Sequence, residues 1–361
     1  MKIKEIKVGG LASFIESEEY KQLNPKPVTE ERAISQFNNP NADIGHTALI
    51  YVANGPELLG FAGLLPRKIN RAGIPVFSNT CWWAHPQKGK GLAVPLILKA
   101  IEESGSSLYL AESTPGLKSI LEKTDKFEFS EPIEGIRGFI RFYFADIFLN
   151  RFKQLKYLSG IIGLGDVVLN FLTAPFRFYF QKKFEKGSFE VESLDTIGRE
   201  AEEFINRYSG MDFIKKGPED FEWFKKFPWL TVHTGEKPYD YPFSHVVKRF
   251  GLEYFVLRKE GVLKAFVAIS NRDNLARIPY IYFDKEDILN VVQSIMSIIL
   301  KRRYNSLVVF HPGIVEYMEA NRMPFLYRKK EIKFTGVTKS IYKYFMAKPY
   351  LQDGDGDVVF T

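Results

Sequence analysis

Runs of hydrophobic and polar residues follow one another with the periods of strands and helices over the first 130 residues. Apolar runs predict strands at residues 2–8, 47–53, 58–65, 82–84, 107–111 and 127–129. Segments with apolar residues three and four positions apart predict helices at residues 11–23, 28–37, 92–104 and 117–124. The turn signal Asn54-Gly55-Pro56-Glu57 joins the second and third strands into a hairpin. The predicted order is therefore β-α-α-β-β-β-α-β-α-β.

The same succession of elements recurs in the C-terminal part of the chain. Strands are predicted at residues 254–258, 262–270, 276–283, 306–310 and 325–327, and helices at 287–302 and 314–321. The turn Lys259-Glu260-Gly261 makes a hairpin of the first two strands. This order matches that of residues 48–129. The repeat predicts an α/β (α+β) protein with two tandem mixed-sheet domains.

Length and composition agree with two domains. The chain has 361 residues, 45% of them hydrophobic, which is enough for two cores. We predict an N-terminal domain at residues 1–131, a helical, aromatic and basic insert or linker at 132–190, a C-terminal domain at 191–347 and a tail at 348–361. No apolar run reaches 18 residues and no signal-peptide pattern is present, so a cytoplasmic protein is expected.

A glycine-rich basic loop joins the predicted strand at residues 82–84 to the predicted helix at 92–104. Its sequence is Lys88-Gly89-Lys90-Gly91-Leu92-Ala93. Glycines let backbone N–H groups turn toward a ligand, and the N-terminus of the helix favours an anion such as a diphosphate. The spacing fits neither the dinucleotide fingerprint nor the P-loop. The alternative is an ordinary turn before a helix.

This loop, in its predicted context, resembles the acyl-CoA loop of the GNAT superfamily of N-acyltransferases, whose pattern is Gln/Arg-x-x-Gly-x-Gly/Ala. Lys88 stands where the family has Arg or Gln, and Gly91 and Ala93 match. The predicted order of elements is also that of the GNAT fold, so the resemblance covers about the first 130 residues. In the second copy the loop is Phe283-Asp284-Lys285-Glu286-Asp287, whose carboxylates would repel a diphosphate.

The resemblance implies a function and a set of binding residues for the N-terminal domain. The expected reaction is transfer of an acyl group, most simply acetyl from acetyl-CoA, to a primary amine such as an amino sugar or nucleotide sugar. No metal is implied. The residues expected to contact the acyl-CoA are Trp83 and Ala84 on the strand, Lys88, Gly89, Lys90, Gly91, Leu92 and Ala93 in the loop, and Ser113.

Two residues are candidates for the base that deprotonates the amine. Glu112 follows the predicted strand at residues 107–111, and His85 follows the strand that carries the loop. Glu112 could instead cap the next helix, and His85 could instead satisfy the loop. Where family members carry a tyrosine that protonates the thiolate, this chain has Leu121. Tyr109, a residue of the second domain or water would then serve, or the protein is a non-catalytic CoA-sensing or membrane-docking module.

The acceptor site has two interpretations. Aromatic residues between Phe221 and Phe243, interleaved with His233, Asp240 and His245, either line a pocket or form core. A tandem pair of GNAT-like domains also resembles the Fem-type ligases, which use aminoacyl-tRNA; the intact loop favours acyl-CoA.

Charge and cysteine content limit the partners. The formal net charge is +7, and residues 135–186 combine aromatic and basic residues with a strongly apolar stretch at 158–172. This segment is either a pair of amphipathic helices on an anionic membrane face or a linker packed between domains. No motif indicates nucleic acid. The single cysteine, Cys81, excludes a disulfide framework, and the zinc-finger-like linker at residues 233–239 is a coincidence because no cysteine pair accompanies it.

Overall fold

The computed structural model describes residues 2–70, 72–151, 157–233 and 237–361. The chain divides into two compact units, and each is assembled from separate segments. Unit 1 comprises Met1–Ile133, Asp195–Glu253 and Ile332–Thr361, and unit 2 comprises Glu134–Leu194 and Tyr254–Glu331. The predicted boundaries differ from these units. Residues 195–253 and 332–347, predicted in the C-terminal domain, belong to unit 1 together with the predicted tail at 348–361. Residues 134–190, predicted as a separate insert, belong to unit 2.

The first part of the chain contains the predicted succession of strands and helices. In order these are β1 (Lys4–Lys7), α1 (Leu11–Glu16), α2 (Glu18–Gln22), α3 (Glu30–Phe37), β2 (Thr47–Asn54), β3 (Glu57–Lys68), β4 (Pro75–Ala84), α4 (Ala93–Glu103), β5 (Leu108–Ser113), α5 (Pro115–Glu122) and β6 (Phe127–Phe129). The order of strands and helices predicted for residues 1–131 is confirmed, except that its first helix is divided. The predicted helix at residues 11–23 is two helices, because Ser17 ends α1 and its hydroxyl accepts the N–H of Tyr20 to begin α2.

The middle of the chain is not wholly helical. It contains β7 (Ile133–Phe139), α6 (Phe144–Arg151), α7 (Ser159–Leu172), α8 (Ala174–Gly187), β8 (Glu190–Leu194), α9 (Arg199–Tyr208), α10 (Pro218–Lys226), β9 (Thr231–Val232) and β10 (Val246–Val247). Strand β7 was not predicted. Its glycines admit aromatic rings, since a Cβ at Gly135 would lie 2.5 Å from Phe310 and one at Gly138 would lie 2.3 Å from Phe325.

The last part of the chain contains the predicted repeat. Its elements are β11 (Phe250–Lys259), β12 (Val262–Arg272), β13 (Leu275–Phe283), α11 (Ile288–Lys301), β14 (Ser306–Val309), α12 (Pro312–Ala320), β15 (Tyr327–Thr338) and α13 (Tyr342–Phe345). The mixed α/β architecture is confirmed. The closing strand begins where a strand was predicted at residues 325–327 and continues much further.

The sheet of unit 1 has antiparallel pairs β1/β2, β2/β3 and β3/β4 and a parallel pair β4/β5. The C-terminal half of β15 completes it, because Phe334, Gly336 and Val337 pair with β5 and residues 336–338 pair with β6. Helix α4 packs on one face of this sheet, where Leu96 of the helix and Leu64 of β3 belong to one hydrophobic core. The opposite face carries a core with α1, α2 and α3. The sheet of unit 1 is thus covered on both sides.

Unit 2 has its own sheet and core. Strand β7 pairs antiparallel with β14, β14 pairs parallel with β13, and β13 pairs antiparallel with β12, with β11 and β8 following. Helix α11 is buried along most of its length, from Val291 to Leu300. Helix α8 packs on it, as Phe180 and Phe184 share its hydrophobic core. In the described residues no single helix is long and apolar enough to cross a membrane; α7 and α8 meet that test only as a pair bent by 50°.

Candidate functional site

Strands β4 and β5 separate after a short contact, and this separation forms the centre of the candidate site. They pair only at Phe77 with Leu108 and Ser78 with Tyr109, although β4 continues to Ala84. A β-bulge in the pairing of β4 with β3 lies between Asn79 and Cys81. Bulges increase local twist and bend the strand, which turns the second half of β4 away from β5. Beyond Ser78, the edge of β4 that faces β5 has no strand partner among the described residues. Gly356 of the C-terminal segment packs at the start of this opening, since a Cβ there would lie 2.5 Å from the Ala111 Cβ and 3.9 Å from the Ser78 hydroxyl oxygen.

Alternation along β4 tells which backbone groups face this opening. The N–H of His85 donates to the carbonyl of Leu59 at 2.8 Å, so the odd-numbered residues of this stretch bond to β3. The N–H groups of Trp82 and Ala84 then point to the opposite side, into the opening. Of the two predicted strand residues, Ala84 has its N–H there. Trp83 has its N–H toward β3 and contributes its side chain instead.

The glycine-rich loop is held closed by hydrogen bonds at its start. The N–H of Gly89 donates to the carbonyl of His85 at 2.9 Å, and the N–H of Leu92 donates to the carbonyl of Gly89 at 3.0 Å. The ring Nδ1 of His85 accepts the N–H groups of Gln87 and Lys88 at 3.2 and 3.1 Å. Glycine is required at position 89, because a Cβ there would lie 2.3 Å from the Leu59 carbonyl oxygen and 2.6 Å from the His85 nitrogen.

The end of the loop leaves donors available. Gly91 has φ +87°, which turns the chain into α4, and α4 begins at Ala93 with no side chain capping its N-terminus. Within the described part of the chain, the N–H groups of Lys90 and Gly91 donate to no backbone carbonyl. The first N–H groups of a helix have no partner inside it. Exposed N–H groups of this kind, together with the helix dipole, bind anions.

The two lysines of the loop differ in their surroundings. Lys88 forms an ion pair with Glu57, with Nζ 2.5 Å from Oε1. Lys90 is exposed. The positive charge next to the open N–H groups therefore comes mainly from Lys90, and Lys88 helps to hold the loop against β3.

A cavity of about 520 Å³ lies in unit 1 beside the C-terminal end of β4. Trp83 and Tyr241 give it aromatic walls, and Glu57 and Asp240 give it carboxylates. The complete lining is Asn24, Pro25, Glu57, Trp83, His85, Pro86, Asp240, Tyr241 and Pro242. Aromatic faces and carboxylates together suit a cationic amine. The aromatic run at residues 221–243 is thus divided, because Asp240 and Tyr241 line the cavity whereas Phe221 and Trp223 are core.

A buried polar cluster lies against Tyr241. The guanidinium of Arg32 donates to the Cys81 sulfur at 3.0 Å and to the Tyr241 hydroxyl at 3.4 Å, and it also bonds Thr80. The ring of Trp229 packs on the same guanidinium, and its centroid lies 4.4 Å from the Cζ atom of Arg32. Burial raises the pKa of the Cys81 thiol although Arg32 opposes the effect, and burial also raises the pKa of Tyr241. Both groups therefore keep their protons at neutral pH. Cys81 is buried.

Sequence reasoning missed Arg32, and it treated Tyr241 only as one aromatic residue among several. The available signal was a single arginine among the apolar residues of α3, since Arg32 precedes Ala33 on a predicted helix. The bulge in β4 places Thr80 and Cys81 where that side chain can reach both.

The predicted bases lie in different surroundings. Glu112 is 38% exposed at its side chain and lies 3.6 Å from Lys333, which also pairs with Asp353 at 2.5 Å. Neither Glu112 nor Ser113 lines the cavity. His85 does line it, and because its Nδ1 accepts two N–H groups, a neutral ring carries its proton on Nε2. The roles of Glu112 and His85 as bases stay predictions.

Ser113 and Tyr109 are buried on β5. The hydroxyl of Ser113 has no hydrogen-bond partner among the described residues. Burial raises the pKa of Tyr109 well above its ordinary value. In the described part of the chain, no group of three or more His, Cys, Asp or Glu side chains is arranged to hold a metal ion.

Comparison with known proteins gives structural matches only. A GCN5-related N-acetyltransferase from Anabaena variabilis matches at 9% identity over 93% of this chain and 72% of its own, with a TM-score of 0.46. A protein from Enterococcus faecalis described as "Probable N-Acyltransferase" matches at 10% identity over 95% and 74%, with a TM-score of 0.49. N-myristoyltransferase of Saccharomyces cerevisiae with bound myristoyl-CoA matches at 10% identity over 93% and 78%, with a TM-score of 0.48. No protein-family model and no curated protein matches the chain.

Proposed function

We propose that the protein is an acyl-CoA-dependent N-acyltransferase whose site lies in unit 1. The observation that carries the proposal is the separation of β4 from β5 directly before a glycine loop with open N–H groups. An extended ligand that ends in a diphosphate fits such an arrangement. The strand edge provides donors for an amide-containing chain, and the loop provides donors for the phosphates.

The residues present fit acyl-CoA. The N–H groups of Lys90, Gly91 and the first turn of α4 would hold the diphosphate, and the side chain of Lys90 would add a positive charge. The N–H groups of Trp82 and Ala84 would meet the pantetheine arm or the thioester oxygen. Acyl-CoA, when bound, supplies an activated acyl group as a thioester. Donors that polarise the thioester oxygen stabilise the charge that develops there.

The cavity beside Trp83 is our candidate for the acceptor amine. Asp240 attracts an ammonium group, since Glu57 is already paired with Lys88, and the walls of Trp83 and Tyr241 pack against the carbon skeleton of the amine. Tyr241 is also our candidate for proton delivery to the leaving sulfur, in place of the tyrosine that Leu121 replaces. Its hydroxyl stays protonated because it is buried, and Arg32 holds it in position. Glu112 remains the first candidate for the base.

Titration calorimetry with acetyl-CoA tests the binding part of the proposal. We expect one bound acetyl-CoA per chain, and we expect Lys90→Glu and Gly91→Asp each to weaken binding at least tenfold, because each places a carboxylate beside the diphosphate. Lys126→Glu is the matched control, since Lys126 is exposed in unit 1 outside the loop. Absence of acetyl-CoA binding by the wild-type chain, or equal affinity in all three variants, would contradict the proposal.

Turnover of purified chain with a panel of amines tests the chemistry. With an accepted amine, release of the CoA thiol should fall about 10²–10⁴-fold in Glu112→Gln and in Tyr241→Phe if these residues transfer protons, while acetyl-CoA affinity stays near that of the wild type. A wild-type rate across pH in either variant removes that residue from the mechanism.

A further inference from the structure

Helix α7 has its polar and apolar faces reversed relative to a helix of a protein in water. Its side chains Ile161, Leu164, Val167, Phe171 and Leu172 are 64–77% exposed. Its Asp166, by contrast, is buried. A helix on the surface of a soluble domain has the opposite distribution.

The inward polar side chains have structural partners. The carboxylate of Asp166 accepts the N–H groups of Phe144 and Ala145 at 2.9 and 2.8 Å, which caps the start of α6. The amide of Asn170 exchanges hydrogen bonds with the backbone of Phe142, its Oδ1 accepting at 3.1 Å and its Nδ2 donating at 2.7 Å. Both residues are one helical turn apart, so they lie on one face. The opposite face of α7 is left without a charged group.

The start of α8 continues this surface with different residue types. Phe178 and Tyr179 are about 60% exposed, and the next exposed residues, Lys182 and Lys183, are basic. The guanidinium of Arg177 is buried and donates to the Thr173 hydroxyl at 2.6 Å, so it too points inward. Along the chain the surface therefore passes from aliphatic to aromatic to basic. That order matches the layers of a membrane from its hydrocarbon to its interface and phosphates.

We infer that the outer face of α7 and the start of α8 dock on an anionic lipid surface. We define the α7–α8 face as Ile161, Leu164, Val167, Val168, Phe171, Leu172, Phe178, Tyr179, Lys182 and Lys183. Its apolar part has no exposed acid. At its edge Lys182 pairs with Glu185 at 3.1 Å yet stays exposed, as Lys183 does, so both lysines can meet lipid phosphates.

The face lies on the membrane and does not cross it. Phe180 and Phe184 of α8 are 1% and 3% exposed in the core that they share with α11. Withdrawing α8 into a bilayer would expose that core to water. Only α7 and the beginning of α8 are free to enter the lipid, to the depth of an interfacial helix.

Co-sedimentation of the full chain with phospholipid vesicles tests the inference. We expect binding to vesicles of phosphatidylcholine with about 30 mol% phosphatidylglycerol, a fraction that makes the surface clearly anionic. Binding to vesicles of phosphatidylcholine alone should be much weaker. The triple variant Ile161→Ser, Leu164→Ser, Phe171→Ser should lower the partition coefficient at least about hundredfold, because each side chain loses its transfer from water to lipid. The three residues are exposed, so the fold should persist.

Matched controls separate the face from general hydrophobicity and charge. The triple variant Ile120→Ser, Val262→Ser, Met346→Ser removes three exposed apolar side chains elsewhere and should bind like the wild type. Lys182→Glu/Lys183→Glu should weaken binding to anionic vesicles roughly tenfold, whereas Lys259→Glu/Lys329→Glu changes net charge equally and should have a smaller effect. The inference is overturned if the wild type stays in the supernatant with both vesicles, or if the two triple variants sediment alike. A wild type that is dimeric without lipid and made monomeric by the α7 variant would assign the face to a second copy of the chain instead.

Discussion

The two units share a splayed strand pair and differ in the loop that leaves it. In unit 1, β4 pairs with β5 at two positions, and in unit 2, β13 pairs with β14 at three, from Leu275 to Arg277. Beyond Arg277, β13 continues to Phe283 paired with β12 but not with β14. After β4 come glycines and open N–H groups. After β13 come three acids, and Asp287 lies 3.5 Å from Lys264. A shared strand geometry is therefore insufficient for an anion site, and the loop decides.

Side chains at the two openings differ as well. In unit 2 the ring of Phe283 packs on His311 at 4.9 Å, and Arg277 lies over Phe310 at 5.5 Å. Unit 1 has the small residue Ala84 at the end of its strand, with a cavity beside it. The opening of unit 2 has thus become part of its packing, whereas in unit 1 the C-terminal end of β4 borders a cavity.

The largest expected effect is at Gly89. Gly89→Ala should reduce acetyl-CoA affinity roughly thousandfold by calorimetry, because the added Cβ displaces the loop and about two charge-assisted hydrogen bonds are lost. Gly91→Ala is the control. Its Cβ meets no atom within 4 Å, so only the backbone strain of a positive φ remains, about 1 kcal/mol. Equal affinities in the two alanine variants would show that the loop does not hold the diphosphate.

The next effect concerns the contribution of the buried Arg32 cluster to the stability of unit 1. Arg32→Met should lower the free energy of unfolding by roughly 2–3 kcal/mol, since the bonds of a buried guanidinium to Cys81 and Tyr241 are lost. All four tryptophans belong to unit 1, so their fluorescence during urea unfolding reports this unit. In Arg199→Met, which removes a 91% exposed side chain, the change should stay within about 0.5 kcal/mol. A similar loss of unfolding free energy in both variants would contradict the stabilising role of the Arg32 hydrogen bonds.

A pH-dependent effect, seen only on acidification, is expected in unit 2. Burial lowers the pKa of His311 from 6.5 to about 4. The unfolded chain therefore binds a proton that the folded chain does not, and stability falls as pH drops from about 6.5 toward 4. The protection factors of amides in peptides from α11 and α12, which correct for the slower intrinsic exchange at low pH, should fall over this range, and His311→Gln should flatten the dependence. An unchanged profile in that variant would assign the acid sensitivity to other groups.

No change in acetyl-CoA binding is expected when the loop of unit 2 is made basic. Asp284→Lys/Glu286→Lys gives unit 2 a basic loop, but Phe283 and His311 still fill the opening and no glycine is added. Calorimetry should still give one acetyl-CoA per chain. A second bound equivalent would show that loop charge alone separates the two units.

Most helices and strands of the two repeats were predictable because local sequence patterns determine them. Strand β6 was predicted to the residue, and the hairpins were located by turns such as Asn54-Gly55, where Gly55 has φ +59°. What failed was the partnership of strands. The closing strand was predicted only at residues 325–327, and no local pattern shows that Phe334 pairs with Ser113, more than 200 positions earlier. The glycines of β7 were overlooked because their partners, Phe310 and Phe325, also lie far away in the sequence.

In the candidate site, too, local features were predictable and long-range contacts were not. The loop at Lys88 to Ala93 was predictable, because glycine spacing and charge act within a few residues. Arg32 and Tyr241 were not, because they meet only through the fold, and their contact with Cys81 depends on a bulge that no local pattern specifies.

The segmented make-up of unit 1 has a consequence for biosynthesis. Residues 1–133 leave the ribosome first, yet their sheet still lacks the strand that residues 332–338 supply. Every segment of unit 2 has been translated before that strand appears. The unit encoded first is thus the one completed last, and until then the unpaired edge of β5 is a site where a nascent chain can pair wrongly or meet a chaperone.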